Sequence, residues 1–403
     1  MINDDTQVDH VASYLAGKKI ALAVTSGIAA IETPKLARQL RRYGASVKVY
    51  MTRGASKFIG PAALEWATED AVVQELSGRA EHICLEDAVV VAPATLNSVN
   101  KIMSGIADDA VTTLVASALG MKKPVYLAPT MHESLYQNPF LQENLIRAAA
   151  YGIRIIPPRL GEHKAKIPKL ENIVARLAHD LSTDLLKGKK VMITAGNAPG
   201  KIDSVRRLSN VFKGTLGVEM AKHAYHLGAD VTLLMSHSGL PLPEYVRIVK
   251  HDDYDEYRAN VMNVLSEQQD IGIFSAAVAD YIPVNPVEGK IPSGGVLQAI
   301  PLVQTKKVIK EVRARFPELF MVTFKYELGK SEKELLSIAD ARIKQGYQVV
   351  VANRGEDMLQ SHKAYIVGPQ GSDGWVGVPS SKQQITTMLF DEIRKQWRGK
   401  EYE

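Results

Sequence analysis

Two segments of this 403-residue chain begin almost identically, one near the N-terminus and one near the middle. Each has a glycine, two lysines, an apolar run and a turn of small residues, over residues 17–27 and 188–196. In a parallel α/β sheet, the turn after the first strand lets a phosphate approach backbone N–H groups directly. Many α/β domains that bind no phosphate also begin with a strand, a glycine and a helix, so one such turn is weak evidence. The repetition favours two nucleotide-binding domains in tandem.

The hydropathy pattern alternates between short apolar runs and helical periodicity along both halves of the chain. This alternation predicts an α/β fold of two tandem doubly wound, Rossmann-like parallel sheets, with each ligand crevice at the carboxyl ends of the strands. The predicted strands of the first half are Ile20–Val24, Ser46–Met51, Ala88–Ala92, Val125–Ala128 and Ile153–Ile156. Those of the second half are Lys190–Ile193, Asp230–Met235, Ile271–Phe274, Met321–Thr323 and Gln348–Val351.

The domain boundaries follow from breaks in this pattern. We expect a loose N-terminal arm over residues 1–16, a first domain over 17–186 that ends in a helix from Leu170 to Leu186, and a second domain over 187–403. Pro157–Pro168 has three prolines and several basic residues, which predicts a loop or flap. Residues 283–295 form a second proline- and glycine-rich segment soon after the predicted strand Ile271–Phe274, and such long excursions are often functional.

Composition narrows the function class. The chain is 46% hydrophobic and 23% charged, and its formal charge of +5 is spread along the sequence, which suits anionic small molecules rather than nucleic acid. Cys84 is the single cysteine, so an intramolecular disulfide is excluded and a reducing cytoplasm is expected. No apolar run approaches the roughly 18 residues that span a membrane.

Five motifs together carry a family resemblance that runs from about residue 17 to about residue 368. They are Thr25–Ala30, Ala92–Thr95, Ser104–Asp109, Ser275–Tyr281 and Phe324–Glu327, in this order. With these motifs the chain resembles the bifunctional phosphopantothenoylcysteine decarboxylase and phosphopantothenate–cysteine ligase family of coenzyme A biosynthesis. The resemblance implies a flavoprotein-type domain followed by a ligase-type domain.

For the first domain, the resemblance implies an FMN site and oxidation of a substrate thiol before its carboxylate leaves. The implied FMN-binding residues are Ser26, Gly27, Ile28, Thr52, Ala94 and Thr95. His82 matches a catalytic histidine, and Met131 and His132 match substrate-binding positions. The chain departs from the family in two places. His132 replaces an asparagine, and the flap segment Gly161–Pro168 lacks the family's cysteine, which puts the usual decarboxylation in doubt.

For the second domain, the resemblance implies that CTP and Mg²⁺ activate 4'-phosphopantothenate as an acyl-cytidylate, which cysteine then attacks. The implied catalytic residues are Asn210 and Lys290, and no protein side chain is expected to be a dedicated metal ligand. The implied nucleotide-binding residues are Gly196, Ala276, Asp280, Lys290, Phe324 and Lys344. Phe212–Gly214 replaces a Ser-Ser-Gly segment, and Arg354 replaces an aspartate, so the acid or the amine could differ from those of the family.

Three functions therefore remain open at the level of sequence. The first is the coenzyme A enzyme itself, with small-molecule substrates and a homo-oligomeric state. The second is a diverged paralogue that performs the same two reactions on another acid or amine. The third is a non-catalytic flavoprotein that regulates or scaffolds a partner, which the presence of His82, Lys290 and Asn210 disfavours. The sequence does not decide between CTP and ATP.

Overall fold

The computed structural model describes residues 4–292, 294, 299–360, 363–369, 376–378 and 381–400. The chain divides into two compact units, Met1–Leu181 and Ser182–Glu403. Residues 1–3 of the expected arm and residues 293 and 295 of the proline-rich segment lie outside the described residues. The expected division after residue 186 falls five residues later than the division between the units, because the last helix of the first unit ends at Leu181.

The first unit is built on a five-stranded parallel sheet. The strands of the whole unit are β1 (Lys19–Val24), β2 (Ser46–Met51), β3 (Ala88–Ala94), β4 (Val125–Pro129), β5 (Met131–His132), β6 (Arg154–Ile155), β7 (Arg159–Gly161) and β8 (Lys164–Lys166). Its helices are α1 (Thr33–Arg42), α2 (Pro61–Thr68), α3 (Leu96–Met103), α4 (Ala110–Gly120), α5 (Glu133–Tyr136), α6 (Pro139–Ala150) and α7 (Leu170–Leu181), with 3₁₀ turns at Asp4–Thr6, Ile28–Glu32 and Arg53–Lys57. The strand order β2-β1-β3-β4-β6 reverses direction between β1 and β3.

The N-terminal arm is not loose within the described residues. Leu15 is fully buried, and its backbone N–H donates to the carbonyl of Tyr43 at 2.9 Å. Arg38 of α1 donates to the carbonyl of Gln7 at 2.8 Å. The arm is polar in sequence, but its backbone groups find partners along α1, which a hydropathy pattern does not reveal.

The second unit is built on an eight-stranded sheet. The strands of the whole unit are β9 (Lys190–Ala195), β10 (Asn197–Ala198), β11 (Gly200–Lys201), β12 (Arg207–Leu208), β13 (Asp230–Ser236), β14 (Arg247–His251), β15 (Ile271–Phe274), β16 (Ala277–Val278), β17 (Tyr281–Pro283), β18 (Leu302–Gln304), β19 (Phe320–Glu327), β20 (Val349–Arg354), β21 (Ala364–Val367) and β22 (Val376–Val378). Its helices are α8 (Thr215–His226), α9 (Tyr254–Ser266), α10 (Val308–Arg315), α11 (Glu332–Ile343), α12 (Gly355–Gln360) and α13 (Lys382–Lys400).

The order of this second sheet is β14-β13-β9-β15-β19-β20-β21-β22. The pairs from β14 to β20 are parallel, and β21 and β22 extend the sheet in antiparallel fashion. The strand order reverses direction between β9 and β15. β9 is the first strand of the unit and the third in the order of its sheet, and β15 is the fourth. The predicted α/β class with two doubly wound parallel sheets is confirmed, and the two units differ in strand order.

Burial explains why these segments form strands. Residues 20–24 of β1 and all seven residues of β3 are buried, so both strands need apolar side chains on both faces. Two clusters of buried side chains lie on opposite faces of the first sheet. Among the described helices, none is long and apolar enough to cross a membrane.

Candidate functional site

The first unit has a cleft of about 1700 Å³ at the point where its strand order reverses. Open α/β sheets bind ligands at this position, beyond the carboxyl ends of the strands. Among the sequence-predicted cofactor residues, those that line the cleft are Ser26, Gly27, Ile28, Thr52 and Thr95. Ala94 is fully buried at the end of β3 and does not line it.

Hydroxyl groups from three strand ends meet in this cleft. Ser26 Oγ lies 3.1 Å from Thr52 Oγ1, which joins the ends of β1 and β2. Thr25 Oγ1 donates to the carbonyl of Pro93 at 2.7 Å, which ties the end of β1 to β3. Thr95 caps α3 by accepting from the backbone N–H of Ser98. The arrangement presents hydroxyls and a helix N-terminus to the cleft, the groups that bind phosphate oxygens.

Charged residues that were not among the predicted cofactor- or substrate-binding residues also line this cleft. They are Glu32, Arg53, Glu75, Lys101, Asp108, Asp109, Arg159, Lys164, Lys166, Lys169 and Glu171. Lys101 is held by Asp108 at 2.6 Å, and Asp109 forms a capping box with Thr112 at the start of α4. The Ser104–Asp109 motif therefore shapes the wall of the cleft through local charge pairing and helix capping.

The expected flap is an antiparallel sheet. The hairpin of β7 and β8 pairs with β5, so Met131 lies opposite Ala165 and His132 opposite Lys164. Both substrate-binding candidates, Met131 and His132, line the cleft. Glu162 makes the hairpin turn with a positive φ of 53°, and the next residue is His163 with the same φ.

His132 has a defined orientation in this sheet. Its Nδ1 accepts from the backbone N–H of Ser134 at 3.3 Å and lies 2.9 Å from the Ser134 hydroxyl. Because Nδ1 is the acceptor, a neutral His132 ring carries its proton on Nε2. The ring can therefore donate a hydrogen bond into the cleft, as an asparagine amide would.

His82 does not line the cleft in this chain. It lies in an exposed turn, next to the exposed Ile83. The neighbouring Cys84 is buried, with its thiol 3.6 Å from a Glu86 carboxylate oxygen. Burial, and then the Glu86 charge, raises the pKa of the Cys84 thiol to about 11. The single cysteine is therefore a protonated packing residue and does not replace the flap cysteine of the family.

The second unit has a cavity of about 480 Å³ where its own strand order reverses, between β9 and β15. Five of the sequence-predicted residues line it, namely Gly196, Asn210, Ala276, Asp280 and Phe324. The first residues of α8 and of α10 also line it, so two helix N-termini face the same space. Helix N-termini favour anionic groups.

Two glycines bring the turn after β9 against the start of α8. Gly196 and Gly214 have positive φ angles of 76° and 86°. A Cβ atom on Gly214 would lie 2.2 Å from the Gly196 backbone nitrogen, closer than real atoms approach. Only glycine at 214 allows this backbone contact, which places the N-terminus of α8 in the cavity wall.

Asn210 and the turn after β15 are joined by hydrogen bonds. Asn210 Nδ2 donates to the carbonyl of Ala277 at 3.0 Å. The backbone N–H of Ala276 donates to Thr194 Oγ1 at 3.2 Å, and Ser275 Oγ donates to the Thr194 carbonyl at 2.6 Å. These contacts fix the turn of small residues with which the Ser275–Tyr281 motif begins.

Cations surround this cavity, and most were not selected from the sequence. Lys213, Lys306, Lys307, Lys325, Arg342 and Lys382 all line it. Lys307 forms an ion pair with Asp280, and Lys325 pairs with Glu327 at 2.6 Å. The adjacent pair Lys306-Lys307 immediately before a helix is the sequence signal that could have identified two of them.

Lys290 and Lys344 do not line the cavity. Lys344 is the exposed C-cap of α11. Lys290 is exposed, and its neighbours are held by the Asp203–Ser204 turn, where Ile291 N donates to Asp203 Oδ2 and Gly289 N to Ser204 Oγ, both at 3.1 Å. Burial acts to raise the pKa of Asp203, but hydrogen bonds from three backbone N–H groups outweigh it and lower the pKa to about 2. The lysine is thus carried by an anchored loop.

Within the described ranges, no group of three or more His, Cys, Asp or Glu side chains is placed to hold a metal ion by itself.

Comparison with known proteins assigns both halves to families. Residues 10–182 match the family model described as Flavoprotein, and residues 186–396 match the one described as DNA/pantothenate metabolism flavoprotein C-terminal domain. The coenzyme A biosynthesis bifunctional protein CoaBC of Thermococcus kodakarensis is 37% identical over 390 residues, which is 94% of this chain and 96% of that protein. CoaBC of Methanocaldococcus jannaschii is 33% identical over 395 residues, 95% of each chain, and CoaBC of Escherichia coli is 33% identical over 404 residues, 94% and 97%. The chain belongs to the family of CoaBC bifunctional coenzyme A biosynthesis proteins.

Proposed function

We propose that the chain is a cytoplasmic bifunctional enzyme that joins 4'-phosphopantothenate to cysteine with CTP and decarboxylates the product with FMN. The observation that carries the proposal is the pair of cavities, one at the topological switch point of each unit, in a chain with CoaBC relatives along nearly its whole length. Each cavity is lined by small residues and anion-binding groups, as a phosphorylated ligand requires.

In the first unit, the residues proposed to hold FMN are Ser26, Gly27, Ile28, Thr52 and Thr95. The hydroxyls of Ser26 and Thr52 lie side by side, and the exposed Ile28 offers an apolar surface at the same rim. The flavin, when bound, accepts two electrons and returns them, so the net change is the loss of CO₂. His132 donates from Nε2 to the substrate carboxylate and orients it, which is the role proposed for it here.

His82 is proposed to act in a homo-oligomer. The imidazole is exposed outside the cleft of its own chain, and the exposed Ile83 and Leu85 follow it in the sequence. A second copy of the chain that covers these apolar side chains would place His82 of one subunit at the cleft of the other subunit, where a base is needed. The sedimentation coefficient of the purified chain tests this proposal, because a monomer that decarboxylates its substrate would exclude it.

In the second unit, we propose that Lys213, Lys306 and the N-termini of α8 and α10 bind the triphosphate. The acid attacks the α-phosphorus of CTP, an acyl–phosphate bond forms and pyrophosphate leaves. The cysteine amine then attacks the acyl carbon, the amide forms and CMP leaves. Asn210 would hold the acyl group, and Lys290 would assist the first step from its anchored loop. Mg²⁺, when bound with the triphosphate, would neutralise charge on the phosphate oxygens, and Asp280 is the carboxylate of the cavity wall that would hold it, since Mg²⁺ favours phosphate and carboxylate oxygens.

A second candidate for the first unit is a flavin-dependent reaction on another thiol acid. The observation that favours it is the flap hairpin without a cysteine, next to His132 in place of asparagine. Mass spectrometry of the products formed from phosphopantothenoylcysteine separates the two candidates. Detection of the decarboxylated thiol supports the first candidate, and the absence of this product from reactions of the flavin-loaded protein supports the second.

The experiment that tests the whole proposal uses the full chain. The visible absorbance of the purified protein should show bound flavin, and pyrophosphate should be released from CTP only when 4'-phosphopantothenate is present. Addition of cysteine should convert the acyl-cytidylate into the amide. Protein that is colourless, and that remains so after incubation with FMN and removal of the unbound flavin, would refute the function proposed for the first unit. The absence of pyrophosphate release would refute the function proposed for the second unit.

A further inference from the structure

A buried hydroxyl without a protein partner lies in the wall of the second cavity. Thr323 of β19 lines this cavity and is completely buried, and its Oγ1 has no hydrogen-bond partner among the residues that the structure describes. The hydroxyl of Ser275, on the neighbouring strand end, is satisfied by the Thr194 carbonyl at 2.6 Å. Buried polar groups are almost always paired, because an unpaired one loses its hydrogen bonds to water.

The surroundings of Thr323 are apolar. The parallel register places Thr323 beside Phe274, and Phe274 beside Thr194, so these three side chains share one face of the sheet. Phe274, Tyr257 of α9 and Val308 of α10 line the same cavity, and all three are buried. This part of the cavity therefore has aromatic and aliphatic walls and, among the described residues, the unpaired hydroxyl of Thr323.

Three lysines of the cavity lie on its solvent-exposed part. Lys213, Lys306 and Lys382 are exposed to solvent, at the starts of α8, α10 and α13. A triphosphate is stabilised by such cations and helix N-termini, and its burial against Phe274 and Val308 would cost solvation energy without a compensating charge. A planar base suits apolar walls, and its polar edge needs one or two hydrogen-bonding groups.

We propose that Thr323 Oγ1 binds the polar edge of the nucleobase when the second unit holds its nucleotide, and that Thr323 thereby determines affinity for the nucleoside part of that ligand. The inference rests on the proposed nucleotide-dependent ligase. A hydroxyl both donates and accepts, so it can pair with the amino group or with the ring acceptors of cytosine.

The test compares full-length wild type, Thr323→Val and Thr323→Ser. Valine keeps the branched shape and removes the hydroxyl, and serine keeps the hydroxyl. The Kd for CTP from titration calorimetry should rise about 2- to 12-fold in Thr323→Val, the value of one ordinary hydrogen bond, and should stay within about twofold in Thr323→Ser. Inorganic tripolyphosphate, measured by competition, should bind wild type and Thr323→Val equally, because it has no base.

Thermal unfolding of the unliganded proteins supplies the structural control. Thr323→Val removes a buried hydroxyl that has no partner, so its Tm should equal or exceed that of wild type. A lower Tm, equal weakening of CTP and tripolyphosphate, or an unchanged CTP affinity would each overturn the inference. If wild type itself binds no CTP, the proposed ligase function fails first, and the inference fails with it.

Discussion

The contact between Gly214 and Gly196 allows a quantitative test of how the cavity of the second unit is built. In Gly214→Ala, the new residue must adopt a φ of 86°, and its Cβ would lie 2.2 Å from Gly196 N and 2.6 Å from Gly196 Cα. The left-handed backbone costs an L-residue about 1–2 kcal/mol. The overlap is with main-chain atoms that cannot rotate away, so relief requires a backbone shift that costs a further ~1–3 kcal/mol.

Gly239→Ala is the matched control in the same unit. Gly239 also has a positive φ, 68°, but nothing lies within 4 Å of a Cβ built there. The unfolding free energy of the control should therefore fall only by the cost of the left-handed backbone, about 1–2 kcal/mol, whereas that of Gly214→Ala should fall by about 2–5 kcal/mol. The comparison isolates the close approach of the two chain segments.

The assay is guanidinium unfolding followed by tryptophan fluorescence in a Trp66→Phe background. The two remaining tryptophans belong to the second unit, so the signal reports on that unit alone. CTP affinity should fall in Gly214→Ala and stay unchanged in the control, since the backbone shift moves the N-terminus of α8. Unfolding free energies for the two variants that agree within about 0.5 kcal/mol would refute the argument.

Three further outcomes are expected. Since the pKa of Asp203 is lowered from 3.8 to about 2, its ionised form stabilises the loop of Lys290 above about pH 4, and this stabilisation is lost as the pH falls towards 2. The guanidinium unfolding midpoint of Asp203→Asn should therefore change less than that of wild type between about pH 4 and pH 2. Equal slopes of midpoint against pH for the two proteins would contradict this expectation. Thr95→Ala removes the cap of α3, so it should cost about 1 kcal/mol and lower the flavin content measured by absorbance, whereas Thr95→Ser should retain both. Asn210→Asp replaces an amide donor to a carbonyl by a carboxylate, so acyl-cytidylate should accumulate in chromatographic assays, and unchanged amide formation would count against the role of Asn210.

Local sequence patterns predicted much of each sheet. The strands Ser46–Met51 and Ile271–Phe274 have the predicted bounds, because each is an apolar run with clear breaks at both ends. The strand Arg247–His251 was not predicted. It lies at the edge of its sheet, and most of its side chains remain partly exposed, so it has no continuous apolar run to reveal it.

The flap shows a different limit of sequence reasoning. Its prolines and basic residues predicted a loop, and the structure has a hairpin that pairs with β5. Its strands have only three residues each, so their side chains carry too little periodicity to distinguish a strand from a loop. Pairing with residues distant in sequence decided the conformation.

The sequence by itself determined that the chain has two βα repeats and that small residues follow the first strand of each, because hydrophobic periodicity and turn chemistry are local properties. Tertiary structure decided which candidate residues share a cavity. It brought Lys306, Lys307 and Thr323 to the cavity of the second unit and left Lys290, Lys344 and His82 outside the cavities of their own units. The physical reason is that a loop's path depends on distant hydrogen bonds, such as those of Asp203 with the loop of Lys290, which no residue spacing encodes.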